Sequence, residues 1–169
     1  KQTPYEGGIR QPIFFNWPGK LKPSDRSELV TSLDLYPTIA AFAGGDAPDD
    51  LPGLNLKQNL ETGAPITRQA IFGEGFSHDI ADIEDPQASL LYRWVIEGKW
   101  KLLLTYDGEV NRYQSTHPRT EKRPQLYDLI ADPHEKQNVA ADHPEIVARL
   151  AKKIGDWYPT PERQVITRF

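Results

Sequence analysis

Residues 89–108 read SLLYRWVIEGKWKLLLTYDG. Two apolar, aromatic-rich runs of strand length flank Glu97-Gly98, and a glycine in so short a connection is the signal of a tight hairpin turn. Strand alternation puts Tyr92 and Trp94 on one face. Working outward, QAIFGEGF at 69–76 and PQLYDLI at 124–130 are two more apolar-aromatic runs, separated from the hairpin by charged and proline-bearing loops. Four such runs in sequence predict a small antiparallel sheet. The stretch DHPEIVARLAKKIGDWY at 142–158 then changes period. Pro144 suits a first helical turn, Asp142 and Glu145 stand at capping-box spacing, and Ile146, Leu150, Ile154 and Trp157 form one apolar stripe. The stripe predicts a helix over 144–158 docked on one face of the sheet, with Tyr92 and Trp94 in the core beneath it.

The first part of the chain has a different texture. IFFNW at 13–17 before Pro18-Gly19, and LVTSL at 29–33, read as short buried strands. DLYPTIAAFAGG at 34–45 reads as a helix with Asp34 as N-cap, Pro37 in its first turn, Gly44 at its stop, and Leu35, Ile39 and Phe42 on one face. Residues 44–67 are loop-rich, with one helical turn expected across 54–60. Strand, strand, helix is the pattern of the end of an α/β sheet. The fold class is therefore α/β: an edge of a larger sheet domain over 1–66, then a small α+β subdomain over 67–169, a four-stranded antiparallel sheet with a C-terminal helix.

Composition removes several functions. Twenty basic against 24 acidic residues, a net charge of −4, leave no basic stripe for nucleic acid. No apolar run approaches the ~20 residues needed to cross a bilayer, so no membrane partner is expected. The chain has no cysteine, which removes disulfides, thiol nucleophiles and thiolate metal ligands from these residues. A chain that opens on lysine reads as a processed or partial polypeptide.

The opening KQTPYEGGIRQP carries a resemblance. Lys1, Thr3, Tyr5-Glu6-Gly7-Gly8, Arg10 and Pro12 stand at the spacing found in the type I sulfatases of the alkaline-phosphatase superfamily. WPGK at 17–20, DLYPTIAAFAG at 34–44, GKWKLL at 98–103 and QLYDLIADPHEKQNVA at 125–140 are similar to further segments of that family, in the same order. The resemblance covers nearly the whole chain. It implies the C-terminal portion of an enzyme that hydrolyses sulfate esters, with carbohydrate sulfates as a candidate substrate class, and that is inactive in this portion alone. The family's nucleophile is a formylglycine made in a Cys/Ser-x-Pro-x-Arg motif, and its calcium-type ion is held by Asp/Asn clusters. The resemblance places both in an upstream portion, which is the implied partner along with the sulfated substrate. It further implies export to the periplasm or the exterior. A phosphonate monoester or phosphodiester hydrolase of the same superfamily is the alternative, and a non-catalytic accessory module is a third reading.

Residue by residue, the resemblance assigns Lys1 to the sulfate ester, where an ammonium opposes the charge that grows on the leaving oxygen. Tyr5, Glu6, Gly7, Gly8 and Arg10 form the supporting loop. Its glycines are expected at positive φ or at a close backbone approach, and Glu6 and Arg10 are expected to pair. In HDIADIED at 78–85, His78 and Asp79 are candidates for the substrate rim. No metal site is read there, because the spacing fits no known loop and acidic loops are commonly just solvated. If the two apolar runs at 13–17 and 29–33 lack sheet neighbours, the missing portion or self-association is expected to cover them.

Overall fold

The computed structural model describes residues 3–76, 82–105 and 123–160. By contacts the chain forms two compact units, one of residues 3–11 with those from Phe72 onward, the other Pro12–Ile71.

The first unit is built on a four-stranded sheet in the order β1 (Ala70–Phe76), β2 (Leu90–Glu97), β3 (Trp100–Thr105) and β4 (Gln125–Asp128). β2 and β3 are antiparallel, closed by the pair Glu97 and Trp100 across a two-residue turn. Gly98 takes φ +58 in that turn, a conformation that glycine adopts without strain. β4 pairs antiparallel with β3, Leu102 opposite Leu126. The outer edge of β4 is partly occupied: the Leu126 amide donates to the Asn138 side chain at 3.0 Å, and the Val139 amide donates to the Leu126 carbonyl at 2.9 Å. These bonds satisfy backbone groups that an open edge would leave available for aggregation.

Helix α4 (Pro144–Trp157) packs on β2 and β3. Val95, Leu102 and Leu126 lie in one row across three strands, and they, Leu150 and Ile154 are all fully buried. Each such aliphatic side chain stabilises by about 1.5–3 kcal/mol. Two ends of the expected stripe are less buried. Ile146 is half-buried, and Trp157 is partly exposed with its ring stacked on Phe72 at 5.1 Å. The capping box at Asp142 does not form. His143 is the N-cap and accepts no side-chain cap bond, its ring lying 4.9 Å from that of Trp100. Arg149 and Lys153 both reach Glu97 at the hairpin, tying the exposed flank of α4 to the sheet.

Tyr92 and Trp94 are not under α4. Their neighbour Arg93 points to the helix, donating to the carbonyls of Ile154 and Tyr158, so alternation turns the two aromatics to the opposite face. There they cover the glycines of β1. A Cβ on Gly73 would stand 2.3 Å from the Trp94 ring, and one on Gly75 would stand 2.2 Å from that of Tyr92.

The second unit contains α2 (Leu35–Phe42) and α3 (Lys57–Thr62) and, among the described residues, no strand apart from Ala70 and Ile71, where β1 begins. The runs at 13–17 and 29–33 are irregular, the latter ending in a 3₁₀ turn at Ser32–Asp34. The physical reason is that a strand is defined by its partner. These segments have the composition of strands but no ladder to join among the described residues, and Phe14 is 85% exposed. The Pro18-Gly19 turn does form, with the amides of Lys20 and Leu21 on the Trp17 carbonyl. α2 ends as expected: Gly44 is left-handed, and Gly45 and Gly44 donate back to Ala40 and Ala41. Its buried face is not the expected one. Ile39 is 58% exposed, whereas Thr38 is fully buried, accepting from the Leu56 amide and donating to the Leu54 carbonyl. Among the described residues no helix is long and apolar enough to cross a membrane.

Candidate functional site

The site read from the sequence is the turn at 5–10. It forms α1 (Glu6–Ile9), a single helical turn in which Gly8 and Ile9 donate to the Tyr5 carbonyl and Arg10 donates to that of Glu6. Neither glycine has positive φ. Gly8 is there for close approach, because a Cβ would stand 2.3 Å from the Thr3 carbonyl oxygen, while nothing lies within 4 Å of one on Gly7.

The turn rests on the sheet face that carries Trp94. Tyr5 donates its hydroxyl to the side-chain oxygen Oε1 of Gln125 at 2.8 Å, and Tyr127 donates to the same oxygen at 2.6 Å, the two rings meeting edge to face at 6.0 Å. Burial, then the neighbouring Tyr5, push the Tyr127 phenol far above the usual tyrosine range. It stays neutral and keeps its proton for this bond.

Glu6 is the second contact. It is nearly buried, and its expected partner Arg10 is mostly exposed and only 4.0 Å away. The closer partner is Lys101 on β3, fully buried, whose ammonium lies 3.2 Å from Glu6 and 2.7 Å from Glu135. The same ammonium lies 5.9 Å from the centre of the Trp94 ring. Glu135 also accepts the Glu6 backbone amide. Two carboxylates and one ammonium from three separate segments thus meet under the turn.

Sequence reasoning missed Lys101, Glu135 and Gln125. A signal for the first was available: a lysine inside the apolar run KWKLLLT has to be paired if strand alternation buries it. Glu135 sits in a loop, and its signal was its place in the family-like segment QLYDLIADPHEKQNVA, which does not say what it pairs with.

Lys1, His78 and Asp79 lie outside the described residues. Of the acidic cluster, Asp82 accepts from the Glu84 amide and Asp85 from the Gln87 amide, so both carboxylates cap their own loop. Among the described residues no three His, Cys, Asp or Glu side chains gather as metal ligands. The sequence contains no Cys/Ser-x-Pro-x-Arg motif either, so these residues do not fit the formylglycine or the ion that the resemblance implies.

A second buried charge pair holds the 12–71 unit together. Asp34 takes both guanidinium nitrogens of Arg68 at 2.6 Å, together with the amides of Leu54 and Thr31. Burial alone would raise its carboxyl; the bonds from Arg68, Leu54 and Thr31 outweigh that and hold it below the ordinary aspartate value.

Comparison with known proteins places these features. The chain is 31% identical over 155 residues to N-acetylgalactosamine-6-O-sulfatase of Bacteroides thetaiotaomicron, covering 90% of this chain and 28% of that protein. A solved Bacteroides thetaiotaomicron structure, described in the context of the metabolism of multiple glycosaminoglycans, superposes with a TM-score of 0.61 at 26% identity, over 83% of this chain and 27% of that one. The phosphonate monoester hydrolase of Agrobacterium radiobacter superposes with a TM-score of 0.51 at 28% identity, over 73% and 23% respectively. The chain therefore spans less than a third of the relatives it matches. The model of the family described as N-sulphoglucosamine sulphohydrolase, C-terminal, matches residues 1–158, and the chain belongs to that family.

Proposed function

We propose that this chain is the C-terminal part of a sulfatase that hydrolyses sulfate esters, with carbohydrate sulfates as the substrate class. Residues 1–66 close the catalytic α/β domain and 67–169 form its small subdomain. The observation that carries the reading is the family match over residues 1–158 together with the turn of Tyr5, Glu6, Gly8 and Arg10 resting on the sheet. Carbohydrate substrates are supported by the sulfatase relative, whose name specifies an amino sugar sulfate.

The chain's own contribution is electrostatic. Lys1 binds the sulfate and stabilises negative charge on the ester and leaving oxygens, and Tyr5, Glu6 and Gly8 hold the segment that presents it. His78 and Asp79 stand at the substrate rim. The nucleophile, a formylglycine, and the calcium-type ion belong to the upstream portion of the protein, which is the partner this chain requires. The exposed side chains of Phe14, Leu33, Tyr36 and Ile39 support such a partner, since they present apolar surface that an α/β domain would cover.

A phosphonate monoester hydrolase is the second reading, favoured by the Agrobacterium structure. Turnover by the parent protein decides between them. It is expected to hydrolyse an aryl sulfate with a higher kcat/KM than an aryl phosphonate monoester, whereas the 169-residue chain with added calcium is expected to turn over neither. The reverse preference would establish the phosphonate reading. Activity that co-purifies with the isolated chain, or none in the parent, would overturn both.

A further inference from the structure

The turn at 5–10 is held by side chains that its own sequence does not supply, and one of them sits in an unfavourable conformation. Glu135 has φ +52, the only non-glycine at positive φ among the described residues. Its turn is closed by Asp132, whose carbonyl accepts the Glu135 amide and whose carboxylate accepts that of Gln137. Glycine would take this left-handed position without strain. What a glutamate adds is a carboxylate, and that carboxylate is almost wholly buried between the Glu6 amide and the Lys101 ammonium. Local strain that is maintained for one buried contact points to a role for the contact.

Lys101 completes the arrangement. Its ammonium is fully buried, and a buried ammonium is tolerated only with charged partners in place. Both partners are supplied from outside its strand, one by the N-terminal turn and one by the loop after β4. Removing either carboxylate leaves the ammonium a single partner and holds the turn from one side only. The register of the turn on the sheet is therefore fixed from two sides, by the Glu6 carboxylate and by the Glu6 amide.

We infer that Lys101 and Glu135 are positioning residues for Lys1, fixing the turn from which the sulfate-binding lysine is tethered. The inference rests on the sulfatase reading. Lys1 precedes Tyr5 by four residues, so covalent geometry keeps it within about 14 Å of that turn. A shift of the turn moves the point to which Lys1 is covalently tied, and a displacement of about 1 Å at a reacting group can cost ~100-fold in rate.

The test uses the full-length parent with an aryl sulfate and compares it with its Glu135→Gly variant. The substitution removes the buried carboxylate while relieving the left-handed backbone, so a role confined to stability predicts a lower melting temperature and an unchanged rate. Positioning predicts a kcat at least ~10-fold lower with KM within about 3-fold. Hydrogen exchange at the Glu6 amide should quicken by at least ~10-fold, with the amides of Leu150 and Ile154 in α4 unchanged. A parent-like kcat overturns the inference, as does a rate loss accompanied by equally faster exchange in α4. If Glu135→Gly does not fold, Glu135→Gln carries the same expectation for kcat and KM, because it removes the charge and keeps an oxygen for the Glu6 amide. A parent that does not turn over the aryl sulfate overturns the proposed function, and exchange at Glu6 still reports on the anchor by itself.

Discussion

Asp34 shows how much one side chain can hold. Its two oxygens take a bidentate guanidinium and two backbone amides with no exposure to solvent. Asp34→Asn would leave Arg68 buried without its counter-charge, and a loss of about 3–5 kcal/mol is expected from urea denaturation. A loss below ~1 kcal/mol would show that Arg68 finds another partner. Because the Asp34 carboxyl is held below its ordinary value, its contribution is complete above the unfolded aspartate value of 3.8 and is lost as pH falls through the lower folded value. Denaturation midpoints measured across acid pH should therefore drop less steeply in Asp34→Asn than in the parent. Gly73 and Gly75 carry a separate expectation: Gly73→Val or Gly75→Val would drive a side chain into Trp94 or Tyr92 and cost about 1–3 kcal/mol in melting experiments. At this scale the sequence was only partly legible. Asp34 read as the N-cap of α2, but its side chain makes no cap bond to that helix; it takes the amides of Thr31 and Leu54 and the guanidinium of Arg68, 34 residues away, a pair no local pattern announces. Glu6 and its pairing with the nearby Arg10, at 4.0 Å, were readable, but its closer and buried partner is the distant Lys101.

Among the elements, those stabilised by their immediate neighbours were legible and those that depend on distant ones were not. The β2–β3 hairpin follows from Gly98 and two flanking apolar runs, and α4 from a stripe that buries Leu150 and Ile154. The runs at 13–17 and 29–33 have strand composition, but a strand also needs a partner, which composition does not encode. The face of α2 was misjudged because apolar periodicity favoured Ile39, while the hydrogen bonds of Thr38 to the loop at Leu54–Leu56 decide which side turns inward. The orientation of Tyr92 and Trp94 was likewise open to alternation alone, and Arg93 reaching the carbonyls of α4 is what fixes it. Docking of α4 is testable through its most buried position. Leu150→Ala should cost about 2–5 kcal/mol, read as a lower denaturation midpoint. An unchanged midpoint would mean that the helix does not carry the sheet core.

For the whole molecule, the expectation concerns what the chain lacks when it stands alone. Phe14, Leu33, Tyr36 and Ile39 expose apolar surface, so the isolated chain should bind a hydrophobic dye and self-associate in sedimentation. A compact monomer that binds no dye would argue against a missing catalytic partner. The central claim is that these residues serve a sulfatase by delivering one positive charge to the ester. It is tested most directly by Lys1→Ala in the full-length protein, with kinetics on an aryl sulfate and thermal melting measured side by side. The account predicts a fall in kcat/KM of at least ~100-fold with a melting temperature that barely moves, as expected for a charge that acts on the transition state. Near-parental turnover in Lys1→Ala would contradict it.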